Sequence, residues 1–264
     1  MSAAASSLVA GVDGCRGGWV AVVGRIDAAD GASLERVELA GTLGELLCRR
    51  GGDRLACLAV DVPIGLASSA EPGGRPCDRS ARAALGRARG SSVFSAPCRP
   101  VVEVFREGGG YAEALAASRA SGPAAVGLTK QAWNIAAKIA EADELATPRL
   151  QRSGRLVECH PELVFARLAG SGGALAPVTE PKRTPAGRAR RLALLASAGL
   201  ARGPAGLDAL TRPGRSADGS VRAAADDVVD ALACLLCAAR VAARSADRFG
   251  GEPDDRGLAM EIRW

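Results

Sequence analysis

Residues 8–23, LVAGVDGCRGGWVAVV, constrain this chain more than any other stretch. Two apolar runs flank a turn containing Gly14, Gly17 and Gly18, which reads as two buried strands joined in a hairpin. Asp13 closes the first run. A carboxylate ending a buried strand is costly unless it is hydrogen-bonded, paired or bound to a cation. Asp before Gly is also ordinary turn chemistry, in which the side chain caps its own turn. A functional role for Asp13 therefore depends on partners elsewhere in the chain.

The same pattern recurs. The apolar run Leu55 to Val60 ends in Asp61 and is broken by Pro63-Ile64-Gly65, and Leu156-Val157 ends in Glu158 before Pro161 opens a helix. A strong helix from about Ala223 to Ala243 opens with Asp226, Asp227 and Asp230. Asp227 and Asp230 are three apart and share one face near its N-terminus. The helix dipole accounts for Asp226 and Asp227. It accounts less well for Asp230, which is flanked by Val229, Ala231 and Leu232 and calls for a cationic partner. If right-handed crossovers join the strands, the carboxyl ends bearing Asp13 and Asp61 lie side by side, where open α/β sheets place ligands. Gathered carboxylates repel one another unless a divalent cation neutralises them, and hard oxygen ligands suit Mg²⁺ or Mn²⁺. Ions held in this way activate water and stabilise the leaving oxygen in phosphodiester hydrolysis.

At 264 residues, the chain reads as one α/β domain with a mixed sheet over residues 1–250, followed by a tail, 251–264, of little pattern. An insertion at about 68–127 is rich in Gly, Pro, Ser and Arg. Residues Leu34 to Leu39 alternate as a third strand. Helices are expected from Thr42 through Arg50, Cys77 to Leu85, Thr129 to about Leu145, Pro161 to Leu168 and Thr184 to Gly199. A polar Gly/Arg/Pro loop follows to residue 220. The net charge of +5 permits a polyanionic partner without demanding one. Eight cysteines, mostly single within apolar segments, and a start without a basic signal region point to a reduced, cytoplasmic protein. The apolar run Ala231 to Ala239 is too short to span a membrane. Oligomeric state is not encoded in any pattern here.

The remaining polar candidates carry two readings each. His160, the only histidine, can act as a general acid or base or contact substrate, and equally can be a hydrogen-bonded structural residue. Lys130 and Gln131, in a first helical turn, can meet a phosphate or simply face solvent. Arg75, Asp78 and Arg82 lie a helical turn apart and can pair internally. Cys234 and Cys237 form C-x-x-C inside a helix with no second pair, which favours buried thiols over zinc. There is no phosphate-binding P-loop motif.

Six motifs in order carry a resemblance: GVDGCRGGW at 11–19, DVPIGL at 61–66, RPCDRSAR at 75–82, SVFSAPCR at 92–99, ECHPE at 158–162 and DDVVDALA at 226–233. Over roughly residues 8 to 245 the chain resembles the family of predicted RNase H-like nucleases (domain of unknown function 429). The last motif is also similar to the closing acidic helix of Holliday-junction resolvases. The resemblance implies an RNase H-like five-stranded sheet in the order 3-2-1-4-5 with strand 2 antiparallel, Asp13 on strand 1, Asp61 on strand 4 and the helix acids opposite. It also raises Arg75, Asp78, Arg82 and Arg99 to substrate contacts. The expectation is a metal-dependent nuclease acting on nucleic acid or a nucleotide. Asp13, Asp61, Glu158, Asp227 and Asp230 would hold Mg²⁺ or Mn²⁺, with His160 beside them, and Arg75, Arg82, Arg99 and Lys130 would neutralise phosphates. Two alternatives stay open. One is a nucleotide-dependent phosphotransferase of the actin/sugar-kinase type, using the Gly14 to Gly18 turn for phosphate. The other is a non-catalytic binding protein on the same fold.

Overall fold

The computed structural model describes residues 7–26, 32–200 and 204–264. Strands β1 (Leu8–Cys15), β2 (Gly18–Ile26), β3 (Ala32–Ala40), β4 (Leu55–Val60) and β5 (Leu156–Glu158) form one sheet in the order β3-β2-β1-β4-β5. β2 runs antiparallel to β1 and β3, while β4 and β5 are parallel to β1. This is the mixed sheet expected from the sequence.

The valine-rich runs are buried on both faces, and the period of two sends alternate residues into different cores. Val9, Val20, Val22, Cys57, Ala59 and Val157 pack on one face. Leu8, Ala10, Val12, Trp19, Leu58 and Val60 pack on the other. Helices connect and cover these faces: α1 (Leu43–Leu47), α2 (Pro76–Arg89), α3 (Arg99–Arg106), α4 (Tyr111–Ala120), α5 (Lys130–Asn134), α6 (Ala136–Leu145), α7 (Pro148–Arg152) and α8 (Pro161–Ala169). They are followed by α9 (Pro185–Ser197), α10 (Pro204–Leu210) and α11 (Ala225–Ala242).

α11 is the most deeply buried of these helices and lies directly on β1. A Cβ added to Gly11 would stand 2.0 Å from Leu235 N and 2.1 Å from Ala231 O, so only glycine lets the helix approach this closely. Gly11 thus fixes the distance between the strand carrying Asp13 and the helix carrying Asp230.

Several expected elements differ in extent. Thr42 does accept from Glu45 N, but α1 stops at Leu47. The helix expected from Thr129 to Leu145 is broken at Ile135, whose φ −107° and ψ 9° are not helical, into α5 and α6. The loop expected after Gly199 contains α10 and the short pair β6 (Gly214–Arg215) and β7 (Arg222–Ala223), while residues 201–203 lie outside the described residues. The start of the chain, read for a signal, falls partly outside them too.

The tail is more ordered than its pattern suggests. β8 (Arg248–Pro253) and β9 (Ala259–Arg263) make a hairpin. It buries Leu258, Ile262 and Trp264, and Cys159 bridges to Arg263. Few residues, widely spaced, carry this packing, so no periodic signal announces it. No helix of the described residues is long and apolar enough to cross a membrane.

Candidate active site

Register brings the strand acids together. Val12 pairs with Val60, and Asp61 N donates to Val12 O at 3.0 Å, so Asp13 and Asp61 leave neighbouring strand ends on the same face. That face is the one α11 covers, and α11 adds Asp227 and Asp230. The four carboxylates line a cleft of about 390 Å³ with His160, Lys138 and Lys182.

Each acid has a distinct local environment. Asp13 Oδ1 accepts from Gly14 N at 2.7 Å, the turn cap its sequence suggests. Asp227 accepts from Ala224 N at 2.8 Å and caps α11. Asp230 is buried and accepts from Lys182 Nζ at 2.6 Å, which is the cationic partner its apolar flanks demanded. Among the described residues, no hydrogen-bond donor meets the Asp61 carboxylate. Burial, then the charges of Asp61, Asp230 and Asp227, hold the Asp13 carboxyl well above its ordinary range, with Lys182 opposing. Asp61 is pushed up to about 6 by burial, against the pull of His160, with Asp230 adding to the rise. Burial likewise raises Asp227, and it raises Asp230 in spite of Lys182. Burial is the largest cause of all four rises, so the cleft favours the protonated forms of its acids.

Glu158 does not join this cluster. It pairs in register with Val60, one residue before Asp61, and so faces the opposite side of the sheet. There its oxygens accept from Arg75 Nη1 at 2.8 Å, Arg75 Nη2 at 2.6 Å and Ile64 N at 2.7 Å. Arg75 is fully buried and also bonds Asp78 and the carbonyls of Ile64 and Gly65. Burial works against its charge, but Asp78 and then Glu158 outweigh it and keep the guanidinium protonated. The expected metal ligand Glu158 and the expected substrate contacts Arg75 and Asp78 are instead one internal clamp on the loop after β4.

The other expected substrate contacts divide. Arg82 is spent on the carbonyls of Val93 and Gly73 at 2.9 to 3.2 Å, fixing the loop before α3. Arg99 pairs with Asp143 at 3.2 Å and with Asp254, tying α3 to α6 and the tail hairpin. Lys130 is exposed and sits 3.2 Å from the centre of the Tyr111 ring, away from the cleft lining. Gln131 does line the cleft. His160 lines it as well, with Nε2 3.4 Å from Ser92 O and a buried Nδ1 that has no partner.

Lys138 and Lys182 were not singled out in the sequence. Lys138 donates to Gly18 O and lies 4.3 Å from the centre of the Trp19 ring, and burial lowers its pKa. Their signal is rarity: the chain has three lysines among 34 basic residues, and two of the three line this cleft.

The glycine turn of β1 and β2 is filled by protein. Added Cβ atoms would meet Ser220 O at 2.1 Å from Gly17, Ala40 O at 2.2 Å from Gly18 and the Lys138 methylenes at 2.6 Å from Gly14. Close backbone packing, rather than an open phosphate cradle, accounts for these glycines.

The donor set of the cleft is hard oxygen, which suits a divalent cation. Among the described residues, no group of three or more His, Cys, Asp or Glu side chains is placed to hold a metal ion. A cation in this cleft would rest on one or two carboxylates and be completed by water or ligand oxygens, as Mg²⁺ commonly is. No curated protein and no solved structure matches the chain. The model of one family, described as a protein of unknown function (DUF429), matches residues 11–255, and the chain belongs to that family.

Proposed function

We propose that the cleft is the active site of a metal-dependent phosphodiesterase, an RNase H-like nuclease acting on nucleic acid or a nucleotide. The observation that carries this reading is the convergence of Asp13, Asp61 and Asp230 at the carboxyl ends of β1 and β4, where Asp61 and Asp230 raise the pKa of Asp13 and Asp230 raises that of Asp61. Asp13 and Asp61 would hold a Mg²⁺ or Mn²⁺ ion, and among the described residues no donor meets the Asp61 carboxylate. A bound divalent cation would supply Lewis-acid activation of water and charge neutralisation at a phosphoryl group.

The protein residues supply the rest. Lys182 opposes the rise that burial imposes on Asp230 and holds it beside the strand acids. Asp227 stays on the α11 N-terminus through its cap bond and adds negative charge at the cleft rim. Lys138 lines the cleft and offers positive charge to phosphate oxygens. His160 lines the cleft with its Nε2 3.4 Å from Ser92 O, and it opposes the rise in the Asp61 pKa.

The test is a calorimetric Mn²⁺ titration of wild type, Asp13→Asn and Asp230→Asn, followed by a screen of DNA, RNA and nucleotide phosphodiesters. Weaker binding in both variants together with metal-dependent cleavage by wild type supports the reading. Full cleavage by Asp13→Asn sinks it.

A further inference from the structure

A second cavity, of about 630 Å³, shares a wall with the acid cleft: Lys182, Arg183, Asp226 and Asp230 line both. It opens between α9 and α11, and Ala189, Leu192, Ala225 and Val229 give it an apolar floor. Its size falls within the range of about 300–1,000 Å³ typical of small-molecule pockets.

The charges around it are already balanced. Lys182 pairs with Asp230 at 2.6 Å, Arg183 with Asp226 at 3.4 Å, Arg188 with Asp208 at 2.8 Å and Arg191 with Glu162 at 2.7 Å. Four cations meeting four carboxylates leave no net positive charge for a second phosphate. What the cavity offers is its apolar floor, rimmed by these paired side chains. Arg188, with a side chain 32% exposed, stands on that rim, while Arg191 is fully buried, and the Nε of each is closed off from the cavity.

The occupant that fits an apolar floor with a charge-balanced rim is flat, uncharged and linked to a group held in the acid cleft. We propose that this cavity is a nucleobase subsite, taking the ring of the nucleotide whose phosphate lies at Asp13 and Asp61. The proposal rests on the phosphodiesterase reading for what occupies the cleft, and it assigns the substrate class as nucleotide rather than simple phosphate ester.

Calorimetry with two probes separates the two ideas: thymidine 5′-monophosphate and 2-deoxyribose 5-phosphate, which has the sugar and phosphate but no base. Each is titrated with Mn²⁺ present into wild type and Ala189→Trp, a change that fills the cavity from the α9 side. Wild type should bind the nucleotide about tenfold or more tighter than the sugar phosphate. Ala189→Trp should erase that difference while Mn²⁺ affinity and 2-deoxyribose 5-phosphate affinity stay as in wild type. Equal affinity of wild type for the two probes overturns the subsite and leaves the acid-cleft reading standing. Failure of wild type to bind Mn²⁺ or either phosphate overturns the acid-cleft reading, and thymidine alone then decides the cavity. Thymidine binding by wild type and not by Ala189→Trp upholds it, and no binding rejects it. Should Ala189→Trp not fold, Ala225→Trp, which fills the cavity from the α11 side, is read in the same way.

Discussion

Lys182 and Asp230 are the pair on which the charge balance of the cleft turns. Asp230 is buried, and the ammonium 2.6 Å away is its only hydrogen-bonded partner among the described residues. Truncating the lysine leaves a buried charge unpaired, which is far more costly than losing a surface ion pair. The Lys182 side chain is 40% exposed, so water recovers part of that loss. Lys182→Met is expected to cost about 1–3 kcal/mol in urea unfolding. Adding Asp230→Asn should return most of it, because the amide needs no counter-charge, and a double-mutant cycle reads the coupling directly. If Lys182→Met alone leaves stability unchanged, Asp230 is not ionised in the native protein.

Among the elements, α11 and the loop after β4 decide where the acids stand, and each has one residue that controls it. At Gly11 the substituted Cβ collides with α11 backbone rather than with a movable side chain. Gly11→Ala should therefore cost about 1–3 kcal/mol or more and weaken Mn²⁺ binding by displacing Asp230 from Asp13. The loop after β4 hangs on Arg75, so Glu158→Ala should destabilise by about 1–3 kcal/mol, because it takes away one of the two carboxylates of a buried guanidinium that Asp78 still pairs. The protein that remains folded should bind Mn²⁺ as wild type does. A loss of metal affinity without a loss of stability would return Glu158 to the site. These two elements also mark where sequence stops being informative. The apolar runs, their terminal acids and the glycines between them make the sheet and Asp13, Asp61 and Asp230 legible. Glu158 shares that pattern, but its face depends on register against β4 in a strand three residues long, and no periodicity that short reports register. Lys182 lies in an irregular stretch before α9 with no helical or strand pattern, so only the scarcity of lysine marks it.

At the scale of the whole molecule, the cleft trades stability for charge. Asp61 titrates near 6 in the folded chain, against an ordinary aspartate value near 3.9 when unfolded. Between those values the native state binds more protons than the unfolded state, so this group makes stability fall as pH rises from about 4 to about 6. The raised Asp13 carboxyl acts in the same direction. Asp61→Asn removes the contribution. Its stability relative to wild type should thus improve by about 1–3 kcal/mol from pH 4 to pH 7, after allowance for solvent reaching the cleft. A divalent cation reverses the slope, because it binds only the deprotonated carboxylates and stabilises the fold by mass action. The rise in melting temperature produced by a fixed Mn²⁺ concentration should be several degrees at pH 7.5, small at pH 5, and absent at both in Asp13→Asn. Parallel melting curves for wild type with and without Mn²⁺ at both pH values decide the matter. An equal rise at pH 5 and 7.5 would place the ion on groups already ionised at pH 5, and so away from Asp13 and Asp61.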